Sequence, residues 1–275
     1  MDVIVTGAGP AGLAAALACQ NAGLKPAVAD TSKTASSNAA KGRSAALFNK
    51  SIAFLRELGV WKACEEAAAP LRGLHFIDCT GRILRAPDCA FHAEEIGERV
   101  FGYNINNSDL ARVFEAEVER RGIRMLSPGR LLELESGPAG VRLTFEDGTE
   151  LAAPLVIGAD GRNSATREAA GIRSITWDYG QIAIAGSFTH ERPHKDICIE
   201  FHRRAGPFTL IPLPGNRSSF VWSERGADAE RLLALDDERF AAEVEKASHL
   251  VLGRVSALTP RAGFPLAAVA VREYG

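Results

Sequence analysis

Residues 3–18 read VIVTGAGPAGLAAALA, and how this stretch is read decides the fold. Asp2 to Thr6 is a short apolar, β-branched run, the pattern of a buried parallel strand. Gly7-Ala8-Gly9-Pro10-Ala11-Gly12 follows directly. The Ala- and Leu-rich run from Leu13 to Asn21 is then helical until Ala22-Gly23 stops it. Strand, G-x-G-x-x-G and helix thus come in the order a dinucleotide-binding turn requires. Gly7 permits the tight turn. Gly9, without a Cβ, lets backbone N–H groups approach a diphosphate, and Gly12 lets the helix lie close to the strand. Pro10 and Ala11 open the helix, whose free N–H groups and positive dipole end suit phosphate.

The signal is weak alone and strengthens downstream. A second apolar run, Pro26 to Ala29, ends in Asp30, with seventeen residues between Gly12 and Asp30. A carboxylate at the tip of the second strand accepts hydrogen bonds from both hydroxyls of an adenosine ribose and repels a 2′-phosphate. The nucleotide expected here is therefore FAD or NAD, not NADP.

Bulk properties narrow the classes. The 275 residues are 46% hydrophobic and 24% charged, enough to bury a core and unlike a disordered chain. Lys and Arg number 32 against 34 Asp and Glu, with no basic stripe, so a nucleic-acid partner is not expected. Five scattered cysteines without C-x-x-C read as buried free thiols of a cytoplasmic protein. His190 and His194 have helical metal spacing, but Pro193 lies between them in strand-like sequence, and no metal site is expected. No apolar run approaches the ~20 residues of a membrane span, and no secretory signal is read at the start.

Along the rest of the chain, Gly42-Arg43-Ser44 precedes a predicted helix from Ala45 to Leu58. Leu74 to Leu84 reads as a hairpin turning at Cys79-Thr80-Gly81-Arg82. Asn107 or Ser108 is positioned to cap a helix that runs to Arg121. Strands follow at 123–126, 131–135 and 141–146, then a buried strand at 155–157. That strand runs into Gly158-Ala159-Asp160-Gly161-Arg162-Asn163-Ser164 and a short helix to Ala170. Antiparallel strands are expected at 181–188, 197–202, 208–213 and 219–222, then helices at 228–235 and 237–247 and a strand at 265–271. Asp160 lies at the carboxyl end of its strand, where ligands of open α/β sheets collect, with Arg162 and Arg167 nearby.

Taken together, G-x-G-x-x-G with Asp30, Gly42-Arg43-Ser44-Ala45-Ala46-Leu47, Gly102-Tyr103 through Asn107 with Leu110, Asp160-Gly161 with Ser164 and Arg167, and the run from Phe208 through Ser223 make a resemblance. The chain resembles the single-component flavoprotein aromatic hydroxylases of the p-hydroxybenzoate hydroxylase fold, above all those of ubiquinone biosynthesis. The resemblance implies an α/β fold in which a Rossmann-like FAD-binding domain (1–72 and 101–175) is interleaved with an antiparallel β-sheet substrate domain (73–100 and 176–270). It implies that Arg43 lies against the FAD diphosphate, that Asp160 and Gly161 sit near it and help NAD(P)H dock, and that Asn107 lies near the flavin unless it serves as a helix cap. The family pattern continues into a Gly-Asp motif and a further helix, so the resemblance also implies a fragment. One face of its nucleotide sheet would be left bare and open to oligomerisation.

The implied reaction is hydroxylation of an electron-rich aromatic ring with FAD, NAD(P)H and dioxygen. No nucleophilic side chain is needed, and no catalytic base is assigned. A prenylated phenol as substrate would go with peripheral membrane contact. A flavin disulfide reductase would need a second glycine motif and a C-x-x-x-x-C, both absent from the sequence. A flavin halogenase would carry W-x-W-x-I-P, whereas Trp61, Trp177 and Trp222 stand apart. A remnant that holds at most part of FAD and turns nothing over is the remaining alternative.

Overall fold

The computed structural model describes residues 1–31 and 42–275. Val3–Thr6 sits inside a parallel sheet, between Pro26–Ala29 and Leu155–Gly158, with Arg124–Leu126 beyond Pro26–Ala29. Strand alternation sends Val3 and Val5 to one face and Ile4 to the other. On the first face, Val3 and Val5 pack with the helices Pro10–Asn21 and Asn107–Arg120 through Leu13, Leu17, Leu110 and Phe114. On the second, Ile4 and Ala29 pack with Leu131, Leu143 and Phe145 of a meander, Leu131–Gly137, Gly140–Phe145 and Glu150–Ala153. The expected bare face is therefore corrected, because helices cover one side and the meander the other. What stays open is an edge. Leu155 is 49% exposed, so Leu155–Gly158 is a partly exposed edge strand and not the buried one expected.

Among the described residues, eight strands form a second sheet. Its path runs Val255–Ser256, Ser174–His190, Arg217–Arg225, Pro207–Leu213, Ile197–His202, Gly73–Asp78 and Cys89–His92, and Ala262–Val271 also pairs with Ser174–His190. It is antiparallel apart from one parallel pair, Ile197–His202 with Gly73–Asp78. A parallel pair needs a long crossover, and here much of the glycine-turn sheet's chain lies between the two strands. Helices Gly226–Ala234 and Asp237–Ala247 cover one face, where Phe188, Phe201, Phe208, Phe220, Trp222 and Phe240 form an aromatic core. The other face meets a small antiparallel sheet, in which Gly102–Asn106 is flanked by Ser44–Phe48 and Ala68–Leu71.

Several sequence expectations are corrected. Ala45 to Phe48 is strand, not helix, and the helix starts only at Asn49 and ends at Glu57. Local Ala and Leu propensity yields to pairing, since Ala45 lies opposite Ile105 and Leu47 opposite Tyr103. A Cβ on Gly102 would fall 2.1 Å from the Leu47 carbonyl oxygen, so only glycine admits the strand at that point. The hairpin is wider than read, with Gly73–Asp78 pairing to Cys89–His92 across a ten-residue loop. The first half of Ser174–His190, unpredicted, pairs with Ala262–Val271 and leaves Ile175, Trp177 and Tyr179 largely exposed. All five cysteines are free, but only Cys64 is fully buried and Cys89 is exposed. Burial pushes the Cys64 thiol up to about 11 and Cys198 up to about 12, which keeps both protonated at neutral pH.

His190 is 3% exposed. Its Nδ1 lies 2.8 Å from the Arg192 carbonyl and its Nε2 3.0 Å from Ser218 Oγ, a fully used neutral imidazole. Burial holds its pKa below the ordinary value. The unfolded chain therefore takes up a proton at a higher pH than the folded chain does. The stability this residue contributes is complete above about pH 6.5 and is lost as pH falls toward the folded value. Denaturant midpoints measured from pH 7.5 down to pH 5 should fall, and His190→Gln should flatten that part of the profile.

Candidate functional site: a glycine turn at the crossing of the sheets

Gly7 has φ +99°, and a Cβ there would stand 2.4 Å from the Ala159 carbonyl oxygen and 2.7 Å from Asp160 Cα. Gly12 is tighter still, because a Cβ would come 1.9 Å from the Gly7 carbonyl oxygen. These two glycines are therefore required by the protein's own packing. Gly9 is different. Its φ of −67° suits any residue, and a Cβ added there meets nothing within 4 Å. Nothing in the fold requires glycine at position 9. It keeps open the space before the first turn of the helix, which starts at Pro10 with no side-chain cap and no acidic residue in that turn. An uncapped helix N-terminus behind an unfilled approach suits a diphosphate.

Asp30 follows the second strand, as expected, and its Oδ2 accepts a short hydrogen bond from the Ala8 N–H. The carboxylate thus pins the glycine turn, a role the sequence reading missed. The spacing that suggested a ribose contact also brings the two strand ends together.

Arg43 is half-buried, its guanidinium carbon 4.6 Å from the centre of the Phe264 ring. Among the described residues, its buried Nε has no hydrogen-bond partner. A buried unsatisfied donor costs about 1–3 kcal/mol, which an anion would recover. The Arg43 carbonyl accepts from the N–H of Asn107 at 2.9 Å. Asn107 is not the helix cap: Asn106 holds that position, its Nδ2 3.1 Å from Asp109 Oδ2, and Asn107 is the first helical residue.

The Asp160 side chain is engaged locally. It accepts from Ser164 Oγ, from the Thr166 N–H at 2.9 Å and from Thr166 Oγ1 at 3.0 Å, organising the start of helix Ala165–Ala169. Gly161 has φ +89°, which favours glycine. Beyond it, Arg162 Nη1 donates to the Pro265 carbonyl at 3.1 Å. The predicted residues therefore form one contact chain: Asp30 to the glycine turn, the turn to Asp160, and the following loop through Pro265 and Phe264 to Arg43 and Asn107. Sequence reasoning missed Asn104. It is fully buried and donates to the Pro212 carbonyl at 2.9 Å and to Ser219 Oγ at 3.2 Å, while its Oδ1 has no partner among the described residues. A polar residue inside the apolar strand GYNIN was the available signal.

The sequence profile of an FAD binding domain matches residues 1–274. The chain belongs to the FAD binding domain family. It is 34% identical to the ubiquinone hydroxylase UbiL of Rhodospirillum rubrum, over 99% of this chain and 63% of that protein. It is 28% identical to the 3-demethoxyubiquinol 3-hydroxylase of Escherichia coli, over 96% of this chain and 68% of that one. The chain thus spans about two thirds of the length of these relatives. Its fold is similar to that of Klebsiella pneumoniae HpxO complexed with FAD and uric acid (TM-score 0.74, 21% identity, 98% of this chain and 68% of that one). It is also similar to 2-methyl-3-hydroxypyridine-5-carboxylic acid oxygenase (TM-score 0.77, 17% identity, 99% and 71%). FAD is the cofactor of the family, and the uncapped helix, the open side of Gly9 and the unpaired Arg43 Nε fit it.

The contrast between the glycines is testable. Gly9→Val should leave the melting temperature within a few degrees of wild type and abolish FAD retention. Gly12→Ala should cost at least the ~1–3 kcal/mol of an overpacked core, read by denaturant melts. Asp30→Asn keeps an acceptor for the Ala8 N–H and removes the charge. FAD affinity, measured by flavin fluorescence titration, should fall by about 2 kcal/mol, as for a charged hydrogen bond.

Proposed function

We propose that the chain is the FAD-holding part of a monooxygenase that hydroxylates an electron-rich aromatic ring with NAD(P)H and dioxygen. The carrying observation is Gly9: glycine where the fold needs none, at an uncapped helix start, in a chain of the FAD binding domain family. When bound, FAD supplies the redox chemistry between NAD(P)H and dioxygen, so the chain itself needs no nucleophile. In this reading the N–H groups of Gly9, Ala11 and Gly12 and the Arg43 guanidinium hold the diphosphate, Pro10 opens the helix without needing an N–H, Asp30 holds the adenosine ribose, and Asn107 borders the flavin. Asp160 keeps its local bonds and fixes the loop through Gly161, along which NAD(P)H approaches.

Residues 1–72 with 101–175 would form the FAD unit, and 73–100 with 176–270 the substrate unit. The sheet memberships support this division: Gly73–Asp78 and Cys89–His92 join the large sheet, and Leu155–Gly158 joins the parallel one. The ring would lie where the large sheet meets the small one, near Pro212 and Ser219, which the fully buried Asn104 ties to the small sheet. The names of UbiL and the E. coli relative support a ubiquinone precursor as substrate; in this reading it is an apolar prenylated phenol and the enzyme is cytoplasmic.

The deciding experiment incubates the full chain with FAD, NADH or NADPH, and a panel of phenols. Phenol-stimulated consumption of the nicotinamide, with a product heavier by one oxygen atom, is the expected result. Flavin retained with no phenol-dependent turnover would favour the remnant that binds without catalysis.

A further inference from the structure

The loop between Gly73–Asp78 and Cys89–His92 reads CTGRILRAPD over residues 79–88, at the edge of the eight-stranded sheet. Ile83 is 102% exposed and Leu84 90%, two large aliphatic side chains standing together in solvent. The loop beneath them is not slack. The Asp78 carboxylate accepts the Thr80 N–H at 2.8 Å and the Ala86 N–H at 2.9 Å, and Arg204 Nε donates to the Thr80 carbonyl at 2.7 Å. Both ends are pinned, and residues 81–85 are held out as a tip with Arg82 and Arg85 on either side of the apolar pair.

Behind the tip, Arg85 shares a cleft with Arg203, Arg231, Lys246 and His249. Two carboxylates answer part of this charge: Glu224 lies 2.7 Å from Arg203, and Glu243 3.7 Å from Arg231. Among the described residues, Arg85 and Lys246 make no ion pair. This cleft and the aromatic core under it lie on the helix-covered face, opposite the Ser219 contact with Ser44.

We infer that the 81–85 tip docks on the surface of a lipid bilayer bearing anionic headgroups. Ile83 and Leu84 enter the boundary between headgroups and acyl chains, and Arg82, Arg85 and the cations of the cleft stay at the phosphates. Two side chains are far too few for a stable protein interface, which needs about 800 Å² per partner. They are enough for a shallow insertion when cations stand beside them, because apolar burial and attraction to anionic lipid add. The inference does not rest on the hydroxylase reading, since membrane binding is read without flavin or turnover.

The test is co-sedimentation of the full chain with phosphatidylcholine vesicles and with vesicles in which about one third of the lipid is phosphatidylglycerol, at low salt. Wild type should pellet with the anionic vesicles, stay in solution with the zwitterionic ones, and be released as salt is raised. Arg85→Glu should lower the partition coefficient by about fivefold or more. Ile83→Asn with Leu84→Asn should lower it by about tenfold or more. Because both positions are exposed, the circular dichroism and melting of these variants should match wild type. The inference is overturned if wild type ignores anionic vesicles, or if the double Asn variant binds them as well as wild type. It is equally overturned if light scattering without vesicles finds an oligomer that the double Asn variant abolishes, since the tip would then belong to a contact between copies.

Discussion

The structure depends on one close approach, that of the first helix to the turn before it. Gly12 comes so near the Gly7 carbonyl that no side chain fits between them, and Gly7 in turn lies against Ala159 and Asp160. Helix, turn and the loop after Leu155–Gly158 are stacked with hydrogen atoms where side chains would stand. The close contact brings the carboxyl ends of neighbouring parallel strands to one place, which is where open α/β sheets gather their ligands. Asp30 closes the group from the second strand through the Ala8 N–H.

That junction also joins the two large sheets. Arg162 reaches the backbone of Pro265, and Arg43 stacks on Phe264, so Ala262–Val271 of the large sheet leans on both the Asp160 loop and the Arg43 turn. The small sheet carries the other connection, through Ser44 and Asn104 to Ser219 and Pro212. Polar contacts make this seam, whereas the far face of the large sheet is closed mainly by aromatic packing under two helices. Two of the seam's buried polar atoms, Arg43 Nε and Asn104 Oδ1, lack partners among the described residues. Buried unsatisfied groups are costly in a folded protein, and both lie where the sheets meet.

Much of this was legible in the sequence because it is local. The strand–turn–helix at 3–21 follows from apolar periodicity and glycine spacing, and Asp30 follows from the length of one helix and one strand. The strand Ile197–His202 and the helix Asp237–Ala247 match their predicted bounds, since alternation and amphipathic period identify them without reference to neighbours. Where the reading went wrong, a distant partner had decided. Ala45 to Phe48 has helix-forming residues and became strand because Gly102–Asn106 offers it a ladder. The exposed half of Ser174–His190 has no periodic burial to betray it and is held by Ala262–Val271. Asn107 looked like a cap because caps shift by one residue with the entry of the chain, and here Asn106 takes that position.

The sequence by itself determined the strand, glycine turn and helix and the acid at the second strand, because these are written in residues close together in the chain, and several such local motifs taken together carried the resemblance to a family of flavin proteins. The tertiary structure alone decided what Gly7 packs against, since Ala159 and Asp160 lie far along the chain, and it left the side of Gly9 open. It likewise decided that the parallel sheet has both faces covered, that Asp160 is spent on its own helix, and that Ile83 and Leu84 have no core to join. Each of these depends on which surfaces are brought together in space, and spacing along the chain does not contain that information.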